Sequence, residues 1–373
     1  MKKGMNHLQQ KQYNRGLIFQ GIVTRDESSR CVLARKSGLT KMTLSNIISE
    51  FIDMGYVMED PTAPASAHNI AQRLILSPDA PKIAGVLIYR TYIAAVLCDY
   101  LMQVLRSKRV ELTEFDEQSL MKTAFAALDE VIAGVHPIAG IGVSAIGPLD
   151  NQRGVLLNPP RFCGVHDVPI VDLFAERYHL PVYLGHHHDN MALAEKFYGA
   201  GRPYHDFLFF NTDGINLSIV TGHELLSSFS GFPCDLEHFS VQFSGGACIG
   251  ANDGSCGNVG CLGNYLDFRR AAAEGTMDAQ LEIVTTLFTT LVNLLNPQAI
   301  ILGDDAHFIS EENLARIERE LNERFYLRRY RHVDVMHAQR REDLEVAASV
   351  IGVIAETFKG NLLFNYGVRN REK

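Results

Sequence analysis

The chain has 373 residues, 46% of them hydrophobic, with no Trp, seven cysteines and a formal net charge of −8. That length suggests two or three domains with a sizeable core; no run approaches 18 apolar residues, which argues against a membrane-spanning helix. The opening "MKKGMNHLQQKQYNRG" lacks the apolar stretch of a secretory signal, and an odd cysteine count favours cytoplasmic thiols or metal ligands over a disulfide framework.

Charge divides the chain. Residues 1–50 hold nine Lys/Arg and three acids, a surplus of +6, so the remainder carries −14. A basic head on an acidic body suits a polyanionic partner, although a solvated basic face would look the same. The segment "SSRCVLARKSGLTKMTLSNIISEFIDMGYVMED" is more specific. Val32, Leu33 and Leu39 anchor a short helix and its turn at Gly38, and Thr40 is a good N-cap for a second helix. In that helix Leu44, Ile47, Ile48 and Phe51 form a buried stripe. The opposite face carries Lys41, Met42, Thr43, Ser45, Asn46 and Ser49. An earlier helix from about Gln10 to Val23 and two strands, in "GYVMED" and "QRLILSP", complete a winged helix-turn-helix over residues 1–80. Operator DNA is the expected partner. Arg30, Arg35, Lys36 and Lys41 are placed on phosphates, and Met42, Thr43, Ser45 and Asn46 on base edges. A small helical interaction domain is the alternative.

From Lys82 the texture changes. "IAGVLIYRTYIAAVLCDY" reads as two strands with a tight connection, "GIGVSAIGPLD" as a buried strand, "HDFLFFNTDGINLSIVTG" as a strand pair, and "AIILGDD" as an apolar strand. Helices are expected at 117–132, 171–178, 191–198, 277–295, 311–325 and 342–358, with no convincing internal repeat. Strand pairs followed by helices predict a two-lobed α/β body with a cleft, over 82–200 and 201–373, the last helix being free to pack back on the first lobe.

These segments, with "GVLLNPPRFCGV", "LPVYLGHHHDNMALAE" and "CGNVGCLGNY", resemble the ROK family, which groups repressors, open-reading-frame proteins and sugar kinases on the actin-like ATPase fold. Its repressors carry a winged helix-turn-helix ahead of this body. The resemblance implies a regulator, most simply a repressor, whose body binds a carbohydrate or sugar-phosphate effector, working in the cytoplasm as a homodimer or dimer of dimers. An active sugar kinase with a DNA-binding head is one alternative; a regulator controlled only by a protein partner is the other.

Family kinases carry D-x-G-G-T where this chain has Leu87, Ile88, Tyr89, Arg90 and Thr91. They carry G-T-G-I-G-x-G where it has Thr212 to Ser218, and L-G-G-G where it has Leu302 to Asp305. Phosphate loops need backbone amides brought close to phosphate, and large or acidic side chains oppose that. The resemblance therefore implies no ATP use and no enzyme activity. The family's sugar-binding Asn matches His186 and its catalytic Asp matches His187, with Asp189 two residues further on. A metal on the three histidines is disfavoured, because neighbours on a strand end point to opposite faces. The family's E-I-G-H is "DLEH" here. The resemblance thus places Asn158, His186, His187, Asp235 and His238 at the effector. Imidazoles can be cations near neutral pH, so an acidic or phosphorylated ligand is expected, against the opposing charge of Asp235.

The family's zinc pattern, H-x9-C-x-C-x4-C, corresponds to His238, Cys248, Cys256 and Cys261, with seven residues between Cys248 and Cys256 and Gly254 in place of a cysteine. Structural zinc is expected there; ordinary loop thiols are the alternative. Cys31, Cys98 and Cys163 read as small core residues and Cys234 as a reserve ligand.

Overall fold

The fold is given by a computed structural model. It describes residues 6–24, 28–62, 73–158, 165–212, 214–226, 234–242, 244–248, 256–303, 308–339 and 343–363. The expectations for Cys163, Asp213, Asp304 and Asp305 lie outside these.

The head has three helices and a two-stranded wing. Helix α1 (His7–Val23) is closed by an Asn6–Gln9 capping box. Helix α2 (Arg30–Ser37) ends at Gly38, whose φ of 69° is the left-handed conformation a helix stop needs. Helix α3 (Lys41–Asp53) starts at Thr40, whose hydroxyl accepts from the Thr43 amide. Strands β1 (Val57–Glu59) and β2 (Leu74–Leu76) pair antiparallel. Leu44, Ile47, Ile48 and Phe51 are buried as their spacing predicts. Lys11 and Arg15 of α1 both pair with Glu50 of α3 and hold the two helices together.

The first lobe contains β3 (Lys82–Ile88), β4 (Tyr92–Cys98), β5 (Val104–Glu111), α4 (Glu117–Ile132), β6 (Ile138–Ala145), the small β7–β8 ribbon (Leu149–Asp150, Val155–Leu156), α5 (Ile170–Tyr178), β9 (Val182–His186) and α6 (His187–Tyr198). Its sheet runs β5-β4-β3-β6-β9. The second lobe contains β10 (Phe207–Asn211), β11 (Asn216–Thr221), β12 (Glu224–Leu225), β13 (Cys234–Asp235), α7 (Phe268–Glu274), α8 (Met277–Leu295), β14 (Ala299–Leu302), α9 (Glu311–Arg324) and β15 (Asp334–His337). Its sheet runs β12-β11-β10-β14-β15, with β13 on β11. In each lobe an antiparallel meander precedes two parallel strands, in the same spatial order. The architecture repeats although the sequence does not, because a layered sheet constrains burial pattern rather than residue identity.

Each sheet is covered on its outer face, by α4 and α5 in the first lobe and by α7, α8 and α9 in the second. The layer between the lobes is α6 with the C-terminal segment, α10 (Leu344–Ala347), a single 3₁₀ turn and α11 (Ile351–Phe358). The continuous helix expected over 342–358 is therefore broken. This segment packs on the first lobe's β3, β6 and β9 rather than on the second lobe, which in sequence ends at β15. Gly142 of β6 makes the fit, since any side chain there would overlap the Ser349 backbone. Helix α6 also begins four residues earlier than expected, so two of the three histidines are helical. Head residues Ile18, Phe19, Ile48 and Phe51 share one core with Tyr100, Phe197, Ile354 and Phe358 of the body. No described helix is long and apolar enough to cross a membrane.

Candidate functional site

The β9–α6 junction carries the histidines. His186 ends the strand, and His187 and His188 open the helix; all three are buried. Their rings lie 5.1 Å (His186–His188) and 5.4 Å (His187–His188) apart between centroids. His187 is the best supported. Its Nδ1 is 3.4 Å from Ser144 Oγ, its Nε2 is 3.9 Å from Glu345, and Tyr89 meets it edge-on. Ser144 Oγ also accepts from Asn190 at 3.1 Å. His186 packs against Gly147 of the "GPLD" loop. The Nδ1 atoms of His186 and His188 have no hydrogen-bond partner among the described residues.

Burial decides the charge here. Desolvation, then the neighbouring His187, drops His186 to about 3. Desolvation, with His186, His187 and Arg90 behind it, holds His188 well below the imidazole range. Burial therefore favours the neutral form at both, which for His186 runs against the expectation that it becomes a cation and favours an anionic ligand. Asp189 moves the other way. Burial pushes its carboxyl up to about 6, against the lowering effect of a 2.6 Å hydrogen bond from Ser218. That bond ties α6 to β11. Two residues along the same strand, Asn216 pairs with Asp235 of β13, about 7 Å away along the strand. Asp235 and His238 are thus neighbours of the corner. Their own contact is with each other, at 3.8 Å. Asn158 is exposed and precedes undescribed residues. The sequence reading missed Ser144, Asn190, Glu345 and the structural role of Asp189. Glu345 carries no local signal at all, because it arrives from the far end of the chain.

The β3–β4 turn places Arg90 across the cleft. A Cβ on Gly214, in the β10–β11 turn, would lie 3.2 Å from Arg90 Nη2. Arg90 thus brings the β3–β4 and β10–β11 turns together.

A second centre lies beside Asp235. The ligand atoms of His238, Cys248, Cys256 and Cys261 all lie within 4.8 Å of one another, the one such group among the described residues. Cys256 Sγ and Cys261 Sγ are 3.6 Å apart, and His238 Nδ1 is 3.3 Å from Cys248 Sγ. Tetrahedral zinc with sulfur ligands needs donors about 3.8 Å apart, so the set fits. His238 turns its other nitrogen to Asp235, the usual support of a ligating imidazole. Burial, then the Cys256 and Cys248 thiols, pushes the Cys261 thiol up to about 12. A divalent cation relieves such crowding by replacing thiol protons. Cys234 is half-buried and stands outside the group, and Cys31 is exposed rather than in the core.

In the head, Lys41, Met42, Ser45 and Asn46 are exposed on one face of α3, and Arg35 and Lys36 at the end of α2. Arg30 is 2.9 Å from Glu59, so it braces α2 against the wing. The Thr43 hydroxyl lies 2.9 Å from that of Thr40, inside the cap. Each of these two therefore has an intramolecular partner in the chain without DNA.

A three-helix head with a two-stranded wing, seated on a two-lobed α/β body, defines the class. The ROK family profile matches residues 83–270. The chain belongs to the ROK family. It is 24% identical to the xylose repressor of Caldicellulosiruptor bescii, covering 96% of this chain and 98% of that one. Among solved structures it resembles a ROK family transcriptional regulator described as a homologue of Escherichia coli Mlc, with TM-score 0.78 and 19% identity, over 95% of this chain and 98% of the other. It also resembles the ROK hexokinase of Thermus thermophilus, with TM-score 0.61 and 24% identity, over 74% of this chain and 99% of that one. The hexokinase likeness concerns the fold.

Proposed function

We propose that this protein is a sugar-responsive transcriptional repressor whose body keeps the sugar-kinase fold as an effector-binding domain and does not transfer phosphate. The carrying observation is that the reading helix α3 is seated by α1 in one core with the ROK body. A change in the body then has a direct mechanical route to the DNA-binding face. Operator DNA is the macromolecular partner, met by Arg35, Lys36 and Lys41 at phosphates and by Met42, Ser45 and Asn46 at base edges. Met42 is 76% exposed at the start of α3, where the recognition helix of such folds enters the major groove. The protein works where the DNA is, in the cytoplasm, as a homodimer or dimer of dimers.

The effector site lies at His186, His187, Asp235 and His238, with Asn158 beside it. His186, held neutral by burial, can donate and accept hydrogen bonds without adding charge, which suits an uncharged sugar. The relative's name makes xylose the first candidate. ATP is not used. Tyr89 and Arg90 replace small residues, and Arg90 projects to Gly214 where phosphates would need open backbone. Zinc on His238, Cys248, Cys256 and Cys261 is structural and closes the loop beside Asp235.

The test uses full-length protein and a duplex selected by it from a random-sequence library. Retardation should be released by one of xylose, glucose or N-acetylglucosamine and weakened at least tenfold by Lys41→Ala with Asn46→Ala. Retention of retardation by a chain lacking residues 1–80 sinks the reading. So does ADP release with any hexose well above background.

A further inference from the structure

The histidine corner receives one carboxylate from the C-terminal segment. Glu345 stands on α10, whose Leu344 and Ala347 are buried and seat the short helix. Glu345 Oε1 accepts from the Tyr92 hydroxyl at 3.1 Å. Tyr92 is itself clamped, with the Arg109 guanidinium lying 3.5 Å over its ring. The same Glu345 oxygen is 3.9 Å from His187 Nε2. That is about 1 Å longer than an N–H···O hydrogen bond. At this separation the two groups face each other across a gap.

The other ring nitrogen indicates what His187 offers to that gap. Asn190 donates to Ser144 Oγ at 3.1 Å, and Ser144 Oγ lies 3.4 Å from His187 Nδ1. With its oxygen already accepting, Ser144 can turn its own hydrogen to Nδ1, which leaves the imidazole N–H at Nε2, toward Glu345. A donor and an acceptor this far apart suit a group that accepts from one and donates to the other, and a hydroxyl does both. A phosphate or carboxylate brings acceptors that the Glu345 charge repels, and an ammonium brings only donors. The gap opens on the Glu345 side, since that side chain is 43% exposed and that of His187 is 3% exposed. The Tyr89 ring, 5.1 Å from Tyr92 and 5.7 Å from His187 between centroids, walls it with apolar surface.

We propose that Glu345 is an effector contact that sets specificity, and that Glu345 and His187 Nε2 together take one hydroxyl of an uncharged sugar. This rests on the effector reading above. It also gives the effector a grip on the head. His187 opens α6 and Glu345 lies on the C-terminal segment. These two elements meet again at their other ends, where Phe197 of α6 packs on Phe358 of α11 at 5.1 Å, in the core shared with the head. A hydroxyl bridging the gap ties the near ends together, and a ligand shifts DNA binding only through a contact that differs between states.

Calorimetry on the full-length protein tests this, with D-xylose, D-glucose and N-acetyl-D-glucosamine and the monodeoxy analogues of each. The wild type should bind at least one parent sugar and bind one of its analogues about 30-fold more weakly. Glu345→Ala should weaken the parent sugar by a similar factor and lose the discrimination against that analogue. Glu345→Gln, which keeps an acceptor and nearly the same shape, should retain most of it. A defect of folding would weaken parent and analogues alike, so loss of discrimination at a single hydroxyl marks the contact. Sugar binding by the wild type with Glu345→Ala still rejecting the same analogue, or with all analogues weakened equally, overturns the Glu345 contact and leaves the effector reading standing. Failure of the wild type to bind any of the three parent sugars overturns both.

Discussion

Gly16, in the middle of α1, lies directly against the backbone carbonyl of Phe358 at the end of α11, so closely that a Cβ on the glycine would overlap the oxygen. The same junction is packed by rings. Phe19 meets Tyr100 edge-on at 4.9 Å and Phe358 at 6.3 Å, and Phe358 meets Phe197 at 5.1 Å. Phe197 sits near the end of α6, the helix that begins at His187. One helix therefore connects the histidine corner to the contact that seats the head.

If this contact carries the effector signal, weakening it should uncouple the two functions. Phe358→Leu is expected to keep DNA affinity and sugar affinity each within about threefold of wild type, since it conserves most of the apolar volume. The ratio of DNA affinities without and with effector should fall toward one. Titration of DNA binding by fluorescence anisotropy at fixed effector reads that ratio. An unchanged ratio places the coupling elsewhere. Gly16→Ala should cost several kcal/mol of stability, because backbone must move to admit the methyl.

The buried histidines make the fold sensitive to acid. Their folded values are depressed, so as pH falls through about 6.5 the unfolded chain takes up protons that the folded chain refuses. Stability is complete above that pH and is lost below it. Between pH 7 and pH 5 the two groups together remove up to about 4 kcal/mol. His186→Asn should reduce this loss by about half. Urea unfolding at several pH values measures it, and parallel curves for wild type and variant would show that His186 is not held neutral.

Asp189 has the opposite sign. Its carboxyl is raised to about 6, so the folded state holds a proton that the unfolded state has released between about pH 4 and pH 6. The cost is absent below about pH 3 and complete above about pH 7, at about 1–3 kcal/mol. Asp189→Asn, which can still accept from Ser218, should be more stable than wild type at pH 8, with the difference shrinking steadily as the pH falls toward about 3. A variant less stable at pH 8 would mean that the charged form is needed.

The cysteine loop should contain one zinc per chain. Cys256→Ser, at the most exposed ligand, should lower zinc content well below one equivalent and destabilise the loop that carries Asp235 and His238. Elemental analysis of protein purified without chelator, followed by thiol titration with and without a strong chelator, distinguishes the cases. Freely titrating thiols before chelation would show that the site holds no metal.

Much of the architecture was legible in the chain itself. Thr40 and Gly38 fixed the turn of the head, and the period of Leu44, Ile47, Ile48 and Phe51 fixed which face of α3 is buried. Residues 117–132 and 277–295 form helices with the expected ends, α4 being capped at Asp116. The four candidate zinc ligands were readable through the resemblance to the family's zinc pattern, whose ligands fall at short spacings. Tertiary structure alone decided that His187 and His188 belong to a helix, that Glu345 returns to meet His187, and that Arg90 reaches Gly214. It also set the proton affinities of the corner, lowering those of His186 and His188 and raising that of Asp189. Caps and periodicity act over one or two turns of chain, so a sequence displays them. Desolvation is the sum over whatever surrounds a group, and here the surroundings come from strands and helices far apart in the chain.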